Sequence, residues 1–395
     1  MERQKVRIKV KWGVIIMIVL TFTSSCSNKK KDNRNDLPTL TFSSSNSENN
    51  NDIIKAYCID YNWNFKGDGA HGFAIPGLWA DANPEEHVKW YKDLGCNTIQ
   101  TFAVSSNGYA WYKNGVVPEQ PGLKYDFLTE MVKLGRKNDM KVFGYFCIGA
   151  NNRWEELHPD QCYQTWGIQI PFTTEYLDYL CASIKDAIIK TDMDGFMIDW
   201  LYNPGGGHDP LPALRWLPCE QIMYKELMGE GFPGKHKMNL PLEIEFRKKS
   251  IDRAWGRIRD AAKSTKPSCL IWLSANELRS KEYVGTKVLQ EVDWIMNEAG
   301  DVSRTESTRS LIGDHAKIMT CLASWNQQDP LEVVSHAKKT GVGLYGFTKP
   351  VIGNIMKPIN YYLSKPVDQY KNDEKNIAVF ARAFNGFPDN YVKKE

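Results

Sequence analysis

Polar side chains, most of them acids and amides, recur in this chain directly behind short apolar runs. In order they are Asp60, Gln100, Asn151 with Asn152, Asp199, Asn276 with Glu277, Asn297 with Glu298, Trp325 with Asn326, and Lys349. If the runs are parallel strands of one barrel, their ends bring these residues to a common mouth. Several carboxyls converging there exceed what folding requires. They suit hydrolysis of a glycosidic bond, where one carboxyl protonates the leaving oxygen and another attacks the anomeric carbon or activates water. Asp199 is the first candidate, because an Asp closing a buried apolar run is costly without a role. Glu298 and Glu277 compete as its partner. Glu298 is preferred, since Ala299 and Gly300 leave room for a ligand beside it.

The elements that must position these residues follow from the hydrophobic pattern. Short runs, apolar on both faces, span 55–59, 98–103, 141–148, 195–199, 269–274, 294–297, 318–323 and 343–347. That is how parallel strands covered by helices read. Between them, helical periodicity covers 84–94, 125–137, 174–190, 242–264, 284–292, 307–315 and 330–340, with stops at Gly95, Gly341 and Lys266-Pro267. Eight strands alternating with helices predict an α/β fold, a single (β/α)8 TIM barrel. Its loops after strands 1–4 are long, and barrels build their sites from such loops. A doubly wound sheet is the alternative, but the first strand lacks a GxGxxG turn.

Aromatic residues make up 12 % of the chain. Trp63, Trp79, Trp111, Trp154, Trp166, Trp200, Trp216 and Trp325 fall in or beside the loops of the expected active face. Flat rings bury the C–H patches of sugars while polar neighbours bind the hydroxyls. The expected substrate-binding set is Asp60, Trp63, His71, Trp79, Gln100, Tyr145, Asn151, Trp200, His208 and Trp325. Trp90, Trp255, Trp272 and Trp294 are expected in the core. The seven His and nine Cys show no CxxC, HxH or HExxH spacing, so the reading calls for no metal and no cofactor. Gly205-Gly206-Gly207 lacks the Lys-Ser/Thr of a phosphate-binding loop.

The formal charge of +3 is concentrated at the front. Arg3, Lys5, Arg7, Lys9 and Lys11 precede the apolar run 12–22 and then Thr23-Ser24-Ser25-Cys26, the layout of a secretory signal. Small residues running into Cys26 resemble a bacterial lipobox, which implies lipidation of Cys26 and anchoring in the cell envelope, outer membrane included. The expected division is a leader over 1–25, a flexible tether over 26–52 and a catalytic barrel over 53–395. Without the leader the balance is near −1, so nucleic acid is not an expected partner. The basic stretch 247–266 is interleaved with acids and reads as a solvated helix face. Oligomeric state is not legible.

The run Asp194-Gly195-Phe196-Met197-Ile198-Asp199-Trp200 resembles the fourth strand of α-L-fucosidase-like barrels and of related glycoside hydrolase families without an assigned substrate. Pro84-Glu85-Glu86-His87 through Gly95-Cys96-Asn97 is similar to their first helix and second strand. Leu134-Gly135-Arg136-Lys137 before Lys141 to Tyr145 is similar to the segment carrying their Gly-x-Tyr strand. Phe246, Arg253, Trp255 and Lys266-Pro267 match the related families in particular. The resemblance spans about residues 53–350. It implies a retaining glycosidase with Asp199 as nucleophile, and it makes Trp63 and His71 the nearest equivalents of a sugar-contacting His-Trp pair. The alternative is a catalytically silent barrel lipoprotein that binds glycans for an uptake system. Such a module would keep the aromatics and lack a convergent acid pair.

Overall fold

The computed structural model describes residues 53–63, 70–164, 169–204, 216–276, 278–298, 302–323, 328–350 and 356–393. Cys26, the leader and the tether lie outside them, as do Glu277, His208, Trp166 and Trp325. Residues 49–395 form one compact unit. Its centre is a closed barrel of eight parallel strands, each paired with its sequence neighbours and β8 closing on β1. The strands are β1 (Lys55–Ile59), β2 (Thr98–Gln100), β3 (Lys141–Cys147), β4 (Gly195–Asp199), β5 (Leu270–Ala275), β6 (Trp294–Asn297), β7 (Lys317–Leu322) and β8 (Gly343–Thr348). The single barrel predicted from the pattern is the observed fold.

Helices α1 (Pro84–Leu94), α2 (Phe127–Lys137), α3 (Asn152–Leu157), α4 (Thr174–Thr191), α5 (Pro218–Met228), α6 (Leu240–Thr265), α7 (Val288–Glu291), α8 (Val302–Ile312), α9 (Pro330–Thr340), α10 (Ile359–Leu363) and α11 (Asn372–Phe384) accompany the strands. Local chemistry sets their ends. Asn83 accepts hydrogen bonds from the Glu85 and Glu86 amides, Pro84 takes the first turn, and Gly95 leaves α1 at φ 93. Asp329 caps α9 in the same way and Gly341 ends it. Along α6, Phe246, Ile251, Ala254, Trp255, Ile258 and Ala262 form the buried stripe.

Three expectations shift. The second strand ends at Gln100 rather than 103, where the chain turns from the regular ladder into the long loop to α2. The helix expected over 284–292 shrinks to α7, because Gly285 stands at φ 87. The insert after β4 holds α5, which buries only Glu220, Met223 and Tyr224 and so shows little periodicity.

Strand alternation explains the interior. Phe143 and Tyr145 of β3, Met197 and Asp199 of β4, Trp272 and Ser274 of β5, and Trp294 and Met296 of β6 share one parity. Below the mouth, Phe143 packs on Trp272 and Trp294 with ring centroids 5.7 and 4.5 Å away, and Tyr345 packs on Trp272 at 5.2 Å. Gly195 opens β4 within this layer. A Cβ there would lie 2.4 Å from the Leu270 carbonyl oxygen and 2.5 Å from the Phe143 ring. Gly195→Ala therefore destabilises the barrel by about 1–3 kcal/mol, the range for overpacked cores. A thermal melt showing an unchanged midpoint would contradict this packing.

Candidate active site

The C-terminal mouth of the barrel holds a cavity of about 540 Å³. Asp199 and Glu298 both line it, Asp199 as the last residue of β4 and Glu298 one residue beyond β6. Strand parity places them. Each stands two residues after an inward Met, Met197 and Met296, which also line the cavity.

The environments of the two carboxyls differ. The Tyr145 hydroxyl donates to Asp199 Oδ2 at 2.9 Å, and the Trp200 amide donates to Oδ1 at 3.0 Å. The Ser274 side chain supplies a further hydrogen bond. Burial raises the Asp199 pKa above the ordinary carboxylate range, and these three contacts oppose the rise. Glu298 is raised by burial and then by the negative charge of Asp199, against one opposing hydrogen bond with Asn276. The pair is thereby split. Asp199 gives up its proton first and Glu298 retains one, the pattern that assigns base or nucleophile to one group and acid to the other.

Backbone geometry reinforces the placement of Asp199. Trp200 adopts φ 58, a left-handed conformation that costs a bulky residue about 1–3 kcal/mol. The bend aims the Trp200 amide back at the Asp199 carboxylate. Its ring packs 5.9 Å from Phe73, which in turn lies 5.1 Å from Trp63. Trp63, Phe73 and Trp200 together form an aromatic strip lining one side of the cavity.

The expected substrate-binding residues separate into three groups. Asp60, Trp63, Gln100, Tyr145 and Trp200 line the cavity. Gln100 is engaged at both ends of its amide, accepting from the Tyr345 hydroxyl at 2.7 Å and donating to the Thr101 carbonyl at 2.9 Å, so it braces the cavity floor. His71, Trp79 and Asn151 are not among the lining residues. His71 Nε2 lies 2.7 Å from Glu155 Oε2. Trp79 is buried against Tyr61, with centroids 6.3 Å apart. Asn151 caps α3, its Oδ1 accepting from the Trp154 amide at 2.9 Å. Glu277, His208 and Trp325 lie outside the described residues.

Of the loop tryptophans expected on the active face, Trp63 and Trp200 line the cavity, and others pack elsewhere. Trp79, Trp111 and Trp154 are all buried, and Trp111 stacks on Tyr61 at 4.6 Å. Trp216 packs in a small separate cluster with Met223, Tyr224 and Phe246. Long loops must bury apolar surface of their own above the barrel, and these rings supply it. Trp90, Trp255, Trp272 and Trp294 are buried as expected.

Several lining residues escaped the reading of strand ends. Ser274 on β5 and Tyr345 on β8 continue the inward parity, beside Asn276 and Lys349, which were already among the strand-end residues. Asp373 enters from α11, and no strand-end signal points to it. Asp60 is raised to about 7 by burial, opposed chiefly by the Asn62 amide and the positive charge of Lys349.

Comparison with known proteins bears on the fold and on one segment of the chain. Residues 83–200, which include α1 through β4 and Asp199, match the sequence model of a family described as hypothetical glycosyl hydrolase 6. No curated protein sequence matches the chain. Among solved structures, α-L-fucosidase isoenzyme 2 from Paenibacillus thiaminolyticus superposes with a TM-score of 0.57 at 15 % identity, covering 84 % of this chain and 49 % of that one. This chain therefore spans about half the length of that fucosidase. β-Galactosidase from Marinomonas ef1 gives 0.53 at 10 % identity over 85 % of this chain and 61 % of its own. The glycoside hydrolase domain of PgaB (BpsB) from Bordetella bronchiseptica gives 0.52 at 10 % identity over 75 % and 94 %. At these identities the three share the barrel fold with this protein, and the segment that carries Asp199 is similar to a glycosyl hydrolase family.

Proposed function

We propose that this protein is a glycoside hydrolase in which Asp199 attacks the anomeric carbon and Glu298 acts as acid and then base. The observation that carries this reading is two buried carboxyls in one cavity whose surroundings push their proton affinities apart. Burying carboxyls costs stability unless the site uses them, which weighs against a silent binding barrel. Asp199 is held by three donors and so stays ionised for attack. Glu298 gives its proton to the departing oxygen, and its carboxylate then takes one from the water that attacks the glycosyl–Asp199 ester, which restores the acid and frees Asp199. Trp63 and Trp200 offer flat surfaces for the sugar. The match over residues 83–200 supports the same class. We further propose that the protein works in the bacterial cell envelope, carried there by the leader and lipidated at Cys26, on an oligo- or polysaccharide.

A pH profile tests the division of labour. The ratio kcat/KM follows a bell: it falls on the acid side as Asp199 takes up a proton and on the alkaline side as Glu298 loses one. Both limbs lie above the ordinary carboxylate range, because burial raises both groups. Tyr145→Phe removes a donor that favours the Asp199 carboxylate, so the acid limb moves to higher pH. Measuring initial rates on aryl glycosides from pH 4 to 10 checks this. An acid limb left in place by Tyr145→Phe would show that Asp199 does not set it.

A further inference from the structure

Across the barrel from β4 and β5, the β8–β1 seam carries a second polar group inside the same cavity. The Asp60 amide donates to the Thr348 carbonyl at 2.8 Å, which locks the exit of β1 to the end of β8 and sets Asp60 beside Lys349. Asp60 Oδ1 accepts from the Asn62 amide at 2.8 Å, and the Trp63 side chain also hydrogen-bonds the carboxyl. A carboxylate offers about four acceptor positions, so fixing its orientation this way leaves acceptors for a ligand. Lys349 is exposed at the cavity rim, its Nζ 5.8 Å from the centre of the Trp63 ring. It brings three donors and no acceptor.

An acceptor and a donor side by side next to a flat ring match two neighbouring hydroxyls on a sugar. One hydroxyl donates to Asp60, and the oxygen of the next accepts from Lys349. Charge narrows the sugar further. Among the described lining residues, the carboxyls of Asp60, Asp199 and Asp373 outnumber the single cation, Lys349, while Glu298 holds its proton. A uronate or sulfated ring would meet net repulsion there. We infer that Asp60 and Lys349 grip two adjacent hydroxyls of the ring whose glycosidic bond is cleaved, and that this ring is a sugar with a free vicinal diol and no anionic group. The inference rests on the glycosidase reading and names the substrate class for the same site.

The test titrates galactose, glucose, mannose, fucose, glucosamine and glucuronic acid into Asp199→Asn protein by calorimetry, then repeats with Asp60→Asn or Lys349→Met added. Both added changes preserve shape, and a melt confirms folding. One of the sugars other than glucuronic acid is expected to bind, and each added change to weaken it roughly tenfold to a hundredfold, as for lost charge-assisted hydrogen bonds. In otherwise wild-type protein, the same changes should raise KM for the corresponding 4-nitrophenyl glycoside with little loss of kcat. Preference for glucuronic acid, affinity unmoved by both changes, or no binding of any sugar would overturn the inference. The two readings fail separately. Turnover that depends on Asp199 without any effect of Asp60 and Lys349 on binding leaves a glycosidase and removes the clamp. Binding that depends on Asp60 and Lys349 with no turnover by the wild type keeps the clamp and removes the hydrolase.

Discussion

Asp199→Asn yields a folded barrel whose kcat on any substrate of the wild type is lower by on the order of 10⁴-fold or more, the scale of a lost nucleophile. The fold persists because the change is isosteric and the site remains polar. The amide oxygen of Asn can still accept from Tyr145 or from the Trp200 amide, whose contacts now hold the carboxylate at 2.9 and 3.0 Å. Removing a buried charge also removes its desolvation cost, so the melting temperature stays level or rises. Sugar affinity survives, since the aromatic strip and the β8–β1 seam are untouched. A second signature follows from the electrostatics. Asp199 raises the Glu298 pKa, so neutralising it lowers that pKa toward the ordinary range. Infrared or NMR titration of the Glu298 carboxyl in the variant reads this directly. An unchanged titration would mean the two groups do not share the site as described.

Glu298→Gln has the second largest effect. For substrates with poor leaving groups it lowers kcat by about 10²–10⁴-fold, the usual value of general acid catalysis. With a 2,4-dinitrophenyl leaving group the loss in the first step nearly vanishes, because that oxygen departs without a proton. The alkaline limb of the pH profile disappears along with the group that set it. Stability moves in the opposite sense to activity. The native pKa of Glu298 lies above its unfolded value, so the native state binds the extra proton and wild-type stability falls as pH rises from about 4.3 through the native pKa. Gln has no proton to lose, so the variant is more stable than the wild type on the alkaline side and close to it at pH 4. Melts at pH 4 and pH 9 compare the two. A variant less stable at pH 9 would show that Glu298 is stabilising as a carboxylate and so is not the proton-holding partner.

The legibility of this site in the sequence has a physical basis. Alternation along a strand has a period of two, and a barrel turns one parity inward, so Asp199 after Met197 and Glu298 after Met296 point into the mouth from pattern alone. The same rule reaches Ser274, Asn276, Tyr345 and Lys349. What it cannot supply is the chain beyond the strands. Asp373 belongs to α11, brought to the cavity by helix packing across a long separation, and Asn151 looks like a strand-end ligand yet serves as a helix cap. Tryptophan was the least informative signal. Trp63, Trp79 and Trp111 read alike in sequence, but Trp79 and Trp111 fill the interior of the loop layer while Trp63 faces the cavity. Burial of a large ring depends on what the neighbouring loops leave uncovered, which no local pattern records. Tyr145 illustrates a subtler gap. Its position was legible, whereas its hydrogen bond to Asp199, which makes it a positioning group for that carboxylate, emerges only from the pairing of β3 with β4.

The most direct test of the central claim follows the anomeric proton signals by NMR while wild-type protein acts on aryl glycosides and on mixed plant and host glycans. Release of a free sugar whose first-formed anomer keeps the configuration of the bond cleaved, with no release in parallel samples of Asp199→Asn, is the predicted result. Sugar released at equal rates by wild type and Asp199→Asn, or none released by the wild type from any of these substrates, would contradict it.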